Sequence, residues 1–283
     1  MTSFGISVVP AADDLDRVVR LVRLADEGGL ELAGVQDHPY QRRFVDTFAL
    51  LGHLLDRTER ISVFPDVANL PLRPPAVLAK HAATLDRLSA GRFELGLGAG
   101  GFWDAIAAMG GPRRTPGESV DALSEAIDVI RLVWSDDRSA RYAGEHYRLD
   151  GYHPGPPPAH PIGIWLGAYK PRMLRLTGEK ADGWVPSLRA EFTPAVLGEL
   201  DKRVSEAAVA AGREPKDVRR IWNVMGGVAD AARLTSDLVE WASEHGADTF
   251  VVWPEGEDQE GQVERLAAEV APAVREAMGE RTT

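Results

Sequence analysis

The run Val35-Gln36-Asp37-His38-Pro39-Tyr40 carries an apolar stretch straight into a carboxylate and an imidazole. Histidine titrates nearer neutrality than any other side chain, so His38 can exchange a proton with a reacting group while Asp37 orients or polarises it. The same hexapeptide also fits a plain strand-end turn, with Asp37 capping backbone amides and His38 solvated. A second stretch, Phe93-Glu94-Leu95-Gly96-Leu97-Gly98-Ala99-Gly100-Gly101, dissolves into glycines. Backbone amides at Gly98, Ala99 and Gly100 can approach a phosphate closely there. It is not the dinucleotide fingerprint, which opens straight into a helix and carries an acid about 20 positions on. A tight exit into a long loop is the competing reading.

Two further segments have the same character. Trp165-Leu166-Gly167-Ala168-Tyr169-Lys170-Pro171-Arg172 ends an apolar run and places Pro171 in the first turn of a helix. A helix N-terminus beside Lys170 and Arg172 suits an anion, so Gly167, Ala168, Tyr169 and Lys170 are candidate cofactor contacts. The alternative makes both cations solvated rim charges. In Pro65-Asp66-Val67-Ala68-Asn69-Leu70-Pro71, an acid interrupts an apolar strand. Such a carboxylate is costly to bury unpaired, so Asp66 is expected to face a polar cavity or a bulge at Asp66-Val67, with Val67, Ala68 and Asn69 alongside. Otherwise the strand simply ends at Phe64.

Other chemistries find little support. The remaining histidines, His53, His81, His146, His153, His160 and His245, are scattered, with no His-x-His or His-Glu-x-x-His, so no metal site is expected. The absence of cysteine removes thiolate nucleophiles, disulfides and Cys-ligated metals together. A net charge of −11 argues against nucleic acid or an anionic membrane as the general partner. Met1 to Pro10 lacks a basic region followed by an apolar core, and no run of about 18 apolar residues occurs. The expectation is a cytoplasmic enzyme acting on a small molecule, with a homodimer as the default oligomer.

These segments need a scaffold that brings strand ends together. Across 283 residues, 44% of them hydrophobic, short apolar runs alternate with amphipathic stretches, the order of a parallel sheet with crossover helices. Eight strands are predicted: Phe4 to Val9, Leu32 to Asp37, Ile61 to Val67, Arg92 to Gly98, Ile162 to Ala168, Gly183 to Pro186, Arg219 to Gly226 and Thr249 to Trp253. Between them run helical stripes such as Leu15, Val18, Val19, Val22, Ala25 and Val263, Leu266, Val270, Val274. Thr193-Pro194 and the Thr115, Glu118 pair mark helix starts. About sixty residues follow Gly98 before the next strand, with a hairpin at Arg141 to Tyr147 and a Pro-rich loop at His153 to Pro161. The fold class is therefore α/β, one (β/α)8 TIM barrel over 1-283 with an insertion after strand 4, whose chemistry belongs at the strands' C-terminal ends.

Taken in order, the segments resemble the luciferase-like family from Phe4 to about Trp253. The stretch from Leu70-Pro71-Leu72-Arg73-Pro74-Pro75 through Asp86-Arg87-Leu88-Ser89-Ala90-Gly91-Arg92-Phe93 is its most characteristic part. Gly111 to Glu118 and Ala181-Asp182-Gly183-Trp184-Val185-Pro186 are similar to further family segments. The resemblance implies a barrel holding FMN or the deazaflavin coenzyme F-420 at its mouth, its phosphate end met by the glycine exit. It also implies a non-proline cis peptide near Asp66-Val67. The pair Asp37-His38 looks like the deazaflavin-using branch, since the monooxygenases more often show Glu-His-His there. Gly101 and Arg42 depart from the sugar-phosphate dehydrogenases of that branch, which argues against that substrate class. The implied activity is hydride transfer between F-420 and a small organic substrate. The alternatives are an FMN-dependent monooxygenase using O2 and a flavin-binding barrel without catalysis.

Overall fold

The computed structural model describes residues 1–280; residues 281–283, within the expected span, lie outside the description. Parallel strands β1 (Ser3–Val8), β2 (Leu32–Val35) and β3 (Ser62–Pro65) run side by side. Then come β4 (Ala68–Asn69) and β5 (Leu95–Gly98). A hairpin of β6 (Ala140–Ala143) and β7 (Arg148–Tyr152) follows, and β8 (Ile164–Leu166), β9 (Gly183–Trp184), β10 (Arg219–Val224) and β11 (Thr249–Val252) return to the main sheet. That sheet has nine strands in the order β3-β2-β1-β11-β10-β9-β8-β5-β4. It closes because Val63 bonds to Arg92 and Glu94 across the gap, joining β3 to the start of β5. The count is nine where eight were predicted because the third barrel strand is cut at Asp66-Val67, which is cis, into β3 and β4. The class expected from the sequence stands.

Glycines at inward positions make room for large rings. A methyl on Gly34 would stand 2.9 Å from Phe64, and one on Gly183 would stand 2.5 Å from Trp165. The two rings meet edge to face at 5.1 Å inside the barrel, packed with Leu32, Val185, Ile221 and Val251. Such a pair adds about 0.5–1.5 kcal/mol beyond the area it buries. The larger core lies between strands and helices. Helix α1 (Leu15–Glu27) buries Val18, Leu21, Val22 and Ala25, and α2 (Thr47–Asp56) and α3 (Pro75–Leu88) cover the next strands.

The N-terminal rim of the barrel is tied by polar side chains, of which Asp26 and Asp86 are buried. Asp26 accepts the amides of Glu59, Arg60 and Ile61. Arg92 donates to the carbonyls of Leu55, Thr58 and Ile61, and Asp86 accepts from the His160 ring and from the Ala159 and His160 amides. Glu94, whose pKa burial pushes up, receives the Gly163 amide.

The insertion holds a short helix α4 (Trp103–Ala108), the crossover helix α5 (Pro116–Val133), the antiparallel hairpin and an irregular Pro-rich loop. Thr115 and Glu118 form the expected capping box of α5. The chain continues with α6 (Pro171–Lys180), α7 (Pro194–Ala210), α8 (Ala231–His245), α9 (Gln259–Arg265) and α10 (Ala271–Ala277). The stripe from Val263 to Val274 is buried as predicted, but a π-helical turn at Leu266–Val270 splits its helix. The sixth barrel strand, expected to reach Pro186, stops at Trp184 and makes one further bridge from Ser187 to Asn223. No helix among the described residues is long and apolar enough to cross a membrane.

Candidate active site

Parallel registers align Val8 with Val35 and Val35 with Pro65, and Asn69 with Gly98, so the strands' C-terminal ends share one mouth. There a cavity of about 960 Å³ opens. Asp37, His38, Asp66, Val67, Ala68, Asn69, Gly98, Ala99, Gly100, Gly167, Tyr169 and Lys170 all line it. Ala168 does not; it is buried behind the wall, and its carbonyl accepts from the Trp184 indole at 2.8 Å. Arg172 points elsewhere and pairs with Asp121 on the surface.

His38 stands over the mouth with its Nδ1 2.7 Å from the Tyr40 hydroxyl and its ring edge-on to Phe102 at 5.6 Å. Burial lowers its pKa despite the opposing charge of Asp37, which favours the neutral imidazole. Tyr40 is pushed up to about 12, first by burial and then by Asp37, and stays a phenol. The pair is therefore a neutral hydrogen bond that fixes the ring. Asp37, also expected to orient or polarise the ring, acts on it through its charge and makes its hydrogen bonds to other groups. Asp37 Oδ2 accepts from the Asn69 amide at 2.8 Å and from Arg73 Nε at 2.9 Å, while Oδ1 accepts from the other arm of Arg73 at 2.8 Å. Both of its oxygens are thus engaged by a bidentate guanidinium.

Arg73 is the principal residue that sequence reasoning missed, although it lies within the characteristic family stretch. It also bonds Asp46 at 2.9 Å and lies 4.4 Å over the Phe48 ring. Burial acts to lower its pKa, but the hydrogen bonds and charges of Asp37 and Asp46 outweigh that and raise it. Nothing in the local sequence pairs residues 36 positions apart. Asp66 faces the cavity as expected, but its partners were also illegible. There Asp66 accepts from Ser7 Oγ at 2.9 Å and Asn223 Nδ2 at 3.0 Å, with burial pushing its carboxyl up against those two bonds. On the far wall, Tyr169 and Phe192 pack at 4.2 Å, and Arg189 lies over both rings.

The residues fit a flat heteroaromatic cofactor with an anionic tail. Among the described residues, five buried side-chain polar atoms have no partner, and three of them, Asn69 Oδ1, Asn223 Oδ1 and Trp253 Nε1, belong to residues lining this cavity. Buried polar atoms are nearly always satisfied, so a polar ring edge is the natural complement. The glycine exit is backbone lined for a reason of space. A methyl on Gly98 would stand 2.8 Å from Val67 Cγ2, and one on Gly100, at φ +94°, would stand 2.6 Å from Pro71 Cγ.

A closed parallel barrel with polar groups gathered at the carboxyl ends of its strands defines an enzyme of the (β/α)8 class. The chain belongs to the luciferase-like monooxygenase family, whose model matches residues 1–283. A putative coenzyme F-420-dependent oxidoreductase of Mycobacterium tuberculosis is 32% identical over 179 residues, 59% of this chain and 50% of that one. The 5,10-methylenetetrahydromethanopterin reductase of Methanolobus tindarius is 31% identical over 221 residues, 76% of this chain and 62% of that one. The match thus spans half to under two thirds of the length of these relatives. Among solved structures, an F-420-dependent secondary alcohol dehydrogenase in complex with an F-420-acetone adduct superposes with a TM-score of 0.87, covering 97% of this chain and 99% of that chain at 18% identity. A monooxygenase from Streptomyces bottropensis gives 0.77, covering 95% and 99% at 17% identity. These two likenesses concern the fold.

Proposed function

We propose that this chain transfers hydride between the deazaflavin coenzyme F-420 and a small organic substrate, with His38 exchanging the accompanying proton. The observation that carries the reading is the His38 imidazole at the cavity mouth, its Nδ1 2.7 Å from the Tyr40 hydroxyl, with burial favouring its neutral form. The two relatives named for F-420 or for pterin reduction support the same class. Bound there, the coenzyme would supply a ring carbon that accepts or gives a hydride. The chain's own residues do the rest. Amides at Ala99 and Gly100, with Gly167, Tyr169 and Lys170, would hold the phosphate end. Asp66 to Asn69 and Gly98 would back the ring, and Asn223 and Trp253 would meet its polar edge. Asp37, locked by Arg73, sets the backbone from which His38 projects. Phe102, 61% exposed, and Phe192 present apolar surface to the substrate.

The test begins with fluorescence titration of the purified chain with F-420 and, separately, with FMN. Tight F-420 binding with turnover of an alcohol or carbonyl substrate is the expected result. General acid-base assistance contributes a factor of about 10² to 10⁴, so His38→Ala should lower kcat by that order and leave the Kd for coenzyme within a few-fold. FMN binding with O2 consumption, or unchanged kcat in His38→Ala, overturns the reading.

A further inference from the structure

A second cavity, of about 380 Å³, lies behind the glycine exit. Leu70, Pro71 and Leu72 form one wall, Met109 to Gly111 the other, and Tyr147 from the hairpin closes the end together with Arg114. Pro71 divides this groove from the mouth, since its ring packs against Gly100 on the other side.

Arg114 is the unexplained group. One of its terminal nitrogens donates weakly to the Tyr147 hydroxyl at 3.3 Å, and its guanidinium lies 5.6 Å from that ring. The other, NH1, is buried and has no acceptor, and no carboxylate among the described residues pairs with Arg114. A guanidinium donor held from water without an acceptor is a strong demand for an anion, and its planar fork matches a carboxylate bidentately. The capping carboxylate of Glu118 is already committed to the Thr115 amide at 2.7 Å. The other lining side chains are Leu, Pro and Met, with backbone bared at Gly110 and Gly111, and Met109 is 51% exposed.

We propose that this groove is a ligand site for a carboxylate with a short apolar body, its head on Arg114 and its body along Leu72 and Met109. Two sources present that chemistry: a free organic acid, or a carboxylate of the glutamyl tail that F-420 carries beyond its phosphate. Only the second source rests on the function proposed above.

The experiment has two arms, each comparing the full chain with Arg114→Gln. In the first, benzoate is titrated calorimetrically; saturable binding that weakens about tenfold or more in the variant supports the site as one for a free acid. In the second, fluorescence titration compares F-420 with its chromophore lacking phosphate and tail. A Kd raised about tenfold for the tailed coenzyme alone supports the tail as the source. Met109→Trp, which fills the groove without touching the guanidinium, should reproduce whichever effect is seen, and it stands in if Arg114→Gln fails to fold. Unchanged affinities in both arms overturn the inference. If F-420 does not bind the unsubstituted chain at all, the proposed function fails, and the benzoate arm alone decides the site.

Discussion

Replacing Arg73 with methionine tests whether the acid beside the histidine is held as the structure indicates. The guanidinium is 14% exposed and the Asp37 carboxylate 1%, so the substitution strands a buried charge. Removing one partner of a buried ion pair typically costs about 3–5 kcal/mol. The second arm reaches Asp46, which is 51% exposed, and adds at most about 1 kcal/mol. Methionine keeps the apolar contact with Phe48, so most of the loss is electrostatic. About 4 kcal/mol is the expected total, and at about 2–4 °C per kcal/mol for a chain near this size, melting should fall by roughly 10 °C. Adding Asp37→Asn removes the stranded charge while leaving an acceptor for the Asn69 amide. The double variant should therefore be more stable than Arg73→Met alone, by about 1–3 kcal/mol. Urea unfolding followed by tryptophan fluorescence measures all four corners of the cycle. If Arg73→Met melts within about 2 °C of the parent, or if Asp37→Asn makes it worse by the full cost of the single substitution, the buried pair is not what holds Asp37.

Tyr40→Phe removes the partner of His38 Nδ1 and should lower kcat about tenfold, the worth of one hydrogen bond in the transition state, with the Kd for coenzyme unchanged. The pH profile has a fixed sign. Because the folded pKa of His38 lies below 6.5, kcat/KM in the direction that uses neutral imidazole should fall only on the acid side of pH 6.5. The unfolded chain takes up that proton first, so stability from this group is present above pH 6.5 and is lost as pH falls below it. An acid limb centred above pH 7 contradicts the assignment. Gly100→Ala meets Pro71 and an unfavourable φ of +94°, whereas nothing lies within 4 Å of a methyl on Gly101. The first should weaken coenzyme binding at least about tenfold and the second should leave it unchanged, a contrast read by the same titration.

Strand positions were legible because burial imposes a local pattern that any single run of residues carries. The candidate mouth residues were legible for a related reason: in a barrel, whatever follows an apolar strand is delivered to one end. What the residues could not supply was pairing across the chain. Asp37 and His38 are adjacent, which suggested that one orients the other, but both lie beyond the end of β2, where no strand or helix period fixes how a side chain turns. The true partners, Arg73 and Tyr40, are fixed by the turn after β4 and by the turn after β2. The cut in the third strand was legible from Asp66. Its carboxylate's bonds to Ser7 and Asn223 were not, being 59 and 157 positions away. The splitting of the last helix by a π turn left no mark in its apolar stripe.

The ion ties at the N-terminal rim have a practical consequence. Asp26, Arg92, Asp86 and His160 make their bonds at the end of the barrel away from the mouth and do not line the large cavity. The rim ties and the cavity lining are thus different populations of side chains. If the proposed function holds, libraries that randomise Phe102, Arg189 and Phe192 of the cavity lining should change which molecules are accepted while drawing little on the margin against unfolding, and substitutions at the opposite rim should change heat tolerance with turnover left alone. Arg73 is where this partition breaks, since it bonds both the Asp37 of the mouth and the Asp46 that caps α2. A screen should leave that position fixed.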